Sequence, residues 1–196
     1  MLELLVAIFT LFMMPLPWII STIHILIRKK KWNASSKLIL VFISILVWAI
    51  LGYLIFNNYQ FLFANRFNGF LYKIIGILAL LTAATIEILT TKMLGLKRVF
   101  GSSELKQTKD KLVTTGIYKY ARHPRYIEHP FWFLGLGLLL GHTFLLWFSF
   151  YLFIAFVITA YFEELELIKR YGKKYLEYKK KVPAFFIFGK SEKYIN

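Results

Sequence analysis

Residues 112–126 read Leu112-Val113-Thr114-Thr115-Gly116-Ile117-Tyr118-Lys119-Tyr120-Ala121-Arg122-His123-Pro124-Arg125-Tyr126. The stretch is polar and basic, and a long apolar run follows it at once. Proline is favoured in the first turn of a helix, and the residue before it is pushed towards extended backbone. A helix is therefore predicted to begin here, with His123 at its head and an apolar body behind it. Whether that body lies in a soluble core or in lipid depends on the rest of the chain.

Composition decides the point. Hydrophobic residues make up 58% of the 196 and mean hydropathy is +0.58, too apolar for an ordinary soluble domain. The predicted fold class is an all-α integral membrane protein, one domain over residues 1–196, with helices packed against one another in lipid. Five apolar segments can be read, at about 2–27, 38–56, 70–90, 125–140 and 143–162. The fourth is short for a full span. Gly141-His142 separates the last two, which predicts a tight helical hairpin. Pro15 and Pro17 predict a kink or break in the first segment. No basic residue precedes that segment and no small-x-small cleavage site follows it, so it reads as a retained span and not as a signal peptide. Residues 101–110 read as a loop. Over 163–181, Leu165, Ile168, Tyr175 and Tyr178 alternate with charges, which predicts an amphipathic helix on the membrane surface.

The net charge is +15, and its distribution gives an orientation. Of the 25 Lys and Arg, 23 fall in the first loop, in the connection 91–125 and in the tail after residue 162; Arg66 and Lys73 are the exceptions. Five spans put those three segments on one side. The positive-inside tendency makes that side, with the C-terminus, cytoplasmic and leaves the N-terminus outside. The charge thus reads as orientation and attraction to anionic lipid headgroups, with no nucleic-acid partner. The chain has no cysteine, which excludes disulfides, thiolate chemistry and Cys-ligated zinc. The four histidines show no metal-binding spacing, and no metal is expected.

Several residues are candidates for chemistry, each with a plainer reading beside it. His123 and Pro124 stand where a helix N-terminus presents unpaired N–H groups to an anion; alternatively, Arg122 and Arg125 are headgroup anchors and His123 is merely interfacial. Glu163 and Glu164 stand at the inner end of the fifth span. Neighbours on a helix diverge by about 100°, so one carboxylate is expected to face the bundle and the other water or a lysine. The alternative is a solvated helix start with Glu166 and Arg170 paired. Gly135, Gly137 and Gly141 suit close helix packing, or room for a ligand. Glu128 and His129 are ionisable groups near membrane depth, which are functional candidates unless merely interfacial. His24, His142, Lys73 and Glu87 read as interfacial.

Taken together, Leu-Val-x-x-Gly-x-Tyr-x-x-x-Arg-His-Pro-x-Tyr (112–126), a helical hairpin, and Glu-Glu-x-x-Leu-x-x-x-Tyr-Gly-x-x-Tyr-x-x-Tyr-x-x-x-Val-Pro (163–183) resemble the isoprenylcysteine carboxyl methyltransferase family, which is related to the membrane phospholipid methyltransferases. The resemblance covers about residues 100–190. Hydropathy puts three spans in 1–90, and the resemblance implies a cofactor-binding and catalytic half in 91–196. It implies S-adenosylmethionine as the cofactor, bound on the cytosolic side. It implies that Leu112, Val113 and Tyr118, at the Gly116 turn, line the adenosine. His123, Pro124 and Tyr126 would hold the methionine end, and Glu163 of the Glu163-Glu164 pair would be the cofactor-binding carboxylate. The implied activity is methyl transfer to a lipophilic acceptor that enters from the bilayer.

Two departures bear on the acceptor. In the prenylcysteine enzymes an arginine one turn before the cofactor-binding glutamate serves the acceptor carboxylate, and here that position is Thr159. A small residue is usual two places after the Tyr of Arg-His-Pro-x-Tyr, and here it is Glu128. Thr159 and Glu128 are therefore candidate catalytic, acceptor-side residues, and they weigh towards an amine, a hydroxyl or another neutral acceptor. Phospholipid N-methylation and O-methylation of a small isoprenoid are the alternatives within the enzyme class. A non-catalytic scaffold or lipid-binding protein is the alternative outside it.

Overall fold

The computed structural model describes residues 2–28, 34–95 and 111–185. The loop expected at 101–110 lies outside the described residues. Those described form α1 (Leu2–Met13), α2 (Leu16–Arg28), α3 (Ala34–Leu62), α4 (Phe70–Leu94), a 3-10 turn (Gly116–Lys119), α5 (Pro124–Leu140), α6 (Thr143–Tyr171) and α7 (Lys173–Lys181). The fold is all-α, as expected from composition.

Among the described residues, four stretches are long and apolar enough to cross a membrane: Leu4–Leu26, Leu38–Leu62, Phe70–Leu94 and Thr143–Tyr171. At 1.5 Å per residue, α5 is about 25 Å long, somewhat short of the ~30 Å hydrocarbon thickness. The same rise makes the 29-residue α6 about 43 Å long, well beyond that thickness. Twenty residues from Thr143 reach Phe162, so Glu163 and Glu164 emerge where the hydrocarbon ends. A separate surface helix beginning at 163 is not what forms. The last apolar segment instead continues as one helix to Tyr171, and the break falls at Gly172, whose φ of 59° and ψ of −132° suit only glycine. A helix-period pattern that continues from apolar into charged residues contains no stop signal before that glycine.

The proline pair breaks the first span between α1 and α2. Pro15 offers no N–H to the carbonyl of Leu11, and the indole Nε1 of Trp48 supplies one at 3.2 Å. The nearby Met14 carbonyl accepts from the Tyr151 hydroxyl at 3.1 Å, which in turn accepts from Trp18 Nε1 at 2.7 Å. Side chains of neighbouring helices thus satisfy a backbone that lipid cannot.

Glycine lets α4 and α5 approach closely. A Cβ on Gly76 would stand 2.9 Å from both the Gly135 carbonyl oxygen and the Leu139 nitrogen. The contacts pair early α4 with late α5, so the two run antiparallel. Gly141 turns α5 into α6 with φ 73°, and Phe67 N donates to its carbonyl at 2.9 Å. By contrast, α2 and α6 run parallel. Met14 and Trp18 meet Tyr151, while Pro17 and Ser21 meet Thr159 further along both helices. The core between them holds Ala7, Phe63, Phe133, Leu145, Phe148, Leu152 and Phe156. These directions place the ends of α2, α4 and α6 and the start of α5 at one end of the bundle. The apolar flanks of α3 stay bare, with Leu38, Phe42 and Phe56 all more than half exposed, as a lipid-facing surface requires.

Candidate functional site

At the shared end, Pro124 starts α5 and His123 is its N-cap. The imidazole is buried and meets a carboxylate on each side. Nδ1 lies 3.0 Å from Glu163 Oε2 and Nε2 lies 3.3 Å from Glu164 Oε1. An imidazole donates from both nitrogens only when protonated. Burial opposes that charge, but Glu163 and then Glu164 outweigh it and hold the His123 pKa above its ordinary 6.5. The sequence reading expected one carboxylate to face the bundle and the other water or a lysine; Glu164 does meet Lys179, but both carboxylates also reach His123. Adjacent side chains diverge, but a ring with two opposed nitrogens spans the divergence.

The two carboxylates have unlike surroundings. Glu164 is held by Arg122, whose Nε donates at 2.8 Å and whose Nη2 also reaches it, and by Lys179 from α7. Arg122 further donates to the carbonyls of Lys179, at 3.1 Å, and of Val182. The backbone repeats the tie: Arg122 N donates to Pro183 O and His123 N to Ala184 O, both at 2.9 Å. Glu164 and Arg122 therefore fasten α7 and the segment after it across the head of α5. Glu163 keeps about a fifth of its side chain open. It also hydrogen bonds Tyr126 and has His24 of α2 as an electrostatic neighbour.

Aromatic rings line the way from this cluster into the bundle. Tyr126 lies parallel to His123 with centroids 5.5 Å apart, and Phe156 stacks on Tyr126 at 5.0 Å. His129 meets the same Phe156 at 5.0 Å. Beside the cluster, Leu112 packs on Tyr175, Tyr178 and Val182. The Tyr178 hydroxyl donates to the Tyr118 carbonyl at 2.6 Å. Gly116 turns with φ 60° against Met93 of α4. Val113 is half-buried in the same segment.

Thr159 and Glu128 stand apart from the cluster. The Thr159 hydroxyl is fully buried and engaged by Ser21 Oγ at 2.9 Å, the Pro17 carbonyl at 3.0 Å and the Ala155 carbonyl at 2.9 Å. It joins α6 to α2. Glu128 is buried seven residues before Gly135, and so on the α4-facing side of α5. Its Oε1 lies 3.5 Å from His129 Nδ1, Arg125 Nε is 4.0 Å from its Oε2, and that oxygen has no hydrogen-bond partner. His24, read from sequence as interfacial, is buried within the bundle at this end; a single histidine near a span end carries no mark of the face it will occupy.

Comparison with known proteins follows the same residues. The family described as phospholipid methyltransferase matches residues 71–174. The protein-S-isoprenylcysteine O-methyltransferase of Schizosaccharomyces pombe is 43% identical over 83 residues, 40% of this chain and 34% of that protein. Its Xenopus laevis counterpart is 38% identical over 95 residues, 45% of this chain and 31% of that one. The human protein of the same name is 34% identical over 88 residues, 42% and 29% of the two chains. The matched stretch thus spans about a third of the length of these relatives. No solved structure matches the chain.

Proposed function

Because the chain belongs to the phospholipid methyltransferase family, we propose that it transfers a methyl group from S-adenosylmethionine to a lipophilic acceptor at the end of the bundle where His123, Tyr126 and Glu163 meet. The observation that carries this is Glu163: a carboxylate at the hydrocarbon boundary, fixed by His123 and Tyr126 yet partly open. The donor set suits the cofactor. An open carboxylate suits ammonium and ribose hydroxyls, and His123 and Tyr126 hold that carboxylate in place. Glu163, His123 and Tyr126 would hold the methionine end, and Leu112, Val113 and Tyr118 the adenosine.

The cofactor, when bound, supplies a methyl group already activated by the sulfonium charge. The protein's part is then alignment and exclusion of water. Glu163 is oriented by two hydrogen bonds, and Glu164 with Arg122 holds the α7 segment over the site. The bare apolar flanks offer a lipophilic acceptor a lateral approach, while charge counting puts the site on the cytosolic side. The relatives' name specifies isoprenylcysteine. For this chain the acceptor is proposed only as lipophilic, with Glu128 on its side of the site.

The test is calorimetric titration of the purified protein, in detergent and in lipid, with S-adenosylhomocysteine. Wild type is expected to bind saturably, and His123→Ala and Glu163→Gln to bind at least about tenfold more weakly, the loss of one charge-assisted hydrogen bond. A folded wild-type protein that binds nothing in either medium overturns the proposal and favours a non-catalytic lipid-binding role.

A further inference from the structure

His24 lies outside the family match at 71–174, yet the structure brings it to the same cluster. It is 3% exposed, and its buried Nδ1 has no hydrogen-bond partner. Its place follows from helix register. On the parallel pair α2 and α6, Ser21 Oγ is 2.9 Å from Thr159 Oγ1, and Thr159 donates to the Pro17 carbonyl at 3.0 Å. One turn further along each helix come His24 and Glu163. The electrostatic influence of His24 on Glu163 agrees with that register. A buried nitrogen without a partner is costly, of the order of 1–3 kcal/mol. Such a group calls for an explanation, and a catalytic role is one.

Resting on the methyl-transfer activity proposed above, we propose that His24 Nδ1 accepts the proton released when a hydroxyl- or amine-bearing acceptor is methylated. Such an acceptor must lose a proton, whereas a carboxylate has none to lose. In the step, a lone pair of the acceptor oxygen or nitrogen forms the new bond to the methyl carbon. The carbon–sulfur bond breaks and its electron pair stays on sulfur, leaving a neutral thioether. The O–H or N–H proton passes to Nδ1. One positive charge disappears from sulfur and one appears on imidazole, so the charge beside Glu163 is unchanged in sign and number. Thr159, the residue between His24 and the bundle core, contributes only a neutral hydroxyl already engaged by α2. The His123 imidazolium beside Glu163 is already engaged on both nitrogens by Glu163 and Glu164, and so does not offer a free donor to a carboxylate acceptor.

Two measurements on the full chain in lipid test this. First, His24→Gln and His24→Asn are titrated with S-adenosylhomocysteine and assayed for transfer of labelled methyl into membrane lipid extract. The expected result is an affinity within about threefold of wild type and transfer reduced about 100-fold or more, the scale of a lost general base. Retained affinity shows that both variants fold. Transfer by both variants within a fewfold of wild type overturns the role of His24. Second, the wild-type product is treated with mild alkali. Label that stays on the lipid marks an ether or amine and supports the proposal. Label released as methanol marks a methyl ester of a carboxylate and overturns it, while leaving methyl transfer itself intact. Absence of S-adenosylhomocysteine binding by wild type would overturn the underlying activity instead, and with it the role of His24.

Discussion

Glu163 and Glu164 meet one imidazole from opposite sides and then part company. Glu164 neutralises Arg122 and Lys179, and its removal strands a buried guanidinium. Glu164→Ala is therefore expected to cost about 3 kcal/mol, the low end for breaking a buried pair, because Lys179 is 41% exposed and can turn to water. Thermal unfolding in detergent measures it, with Glu164→Gln as the milder companion. His123 gives a pH dependence whose sign can be worked out. Its folded pKa lies above the ordinary 6.5, because Glu163 and Glu164 outweigh burial. Both folded and unfolded chains are protonated below that ordinary value, so the stabilisation is complete there. It is lost as pH rises through the folded value. The melting temperature is expected to fall as pH rises above neutral, and the fall to be shallower in His123→Gln. Much at this scale was legible beforehand: the Arg-His-Pro head of α5 and the paired carboxylates stand out in sequence. Their mutual arrangement was not, because 40 residues separate His123 from Glu163 and only the antiparallel return of α6 joins them.

The helices owe their spacing to a few glycines. The sequence singled out Gly135, Gly137 and Gly141 for close packing, and Gly135 does meet another helix closely, but its partner Gly76 lies on a helix far away in the chain. Both spans are apolar all round, so periodicity alone could not tell which glycine would face which helix. A Cβ at Gly76 meets backbone atoms at 2.9 Å, which cannot swing aside as a side chain can. Gly76→Ala is expected to destabilise by about 1–3 kcal/mol, the cost of overpacking. Gly52 serves as the control, since a Cβ there meets only Leu11 Cδ2 at 3.6 Å. Gly52→Ala should match or slightly exceed wild type in thermal unfolding, alanine being the better helix former. The extent of α6 was the element least legible in advance. Charge at residue 163 marks the edge of the hydrocarbon, and hydropathy marks nothing more; the helix itself ends where Gly172 turns.

The whole molecule has an asymmetry that both charge and helix direction express. Among the described residues, Arg122, Lys179 and the buried cluster occupy one end, and Arg66 and Lys73 the other, by the Gly141-His142 turn. Because the chain contains no cysteine, single cysteines report orientation without background. Lys174→Cys is expected to react with an impermeant maleimide only after the membrane is opened, and Asn68→Cys in sealed cells. The reverse pattern would invert the orientation read from charge. The all-helical, membrane-type class was readable from hydropathy, whereas the overlay of the last segment on the head of α5 was not, since it depends on backbone bonds from Arg122 and His123 to Pro183 and Ala184. That overlay sets an order in time. Residues 173–185 come after α6 in the chain, so this strap cannot close over the head of α5 until α6 and everything before it has been made. The cluster is therefore completed by the last-made part of the described chain, and loss of the residues after 172 would leave the described spans without the bonds that fasten it.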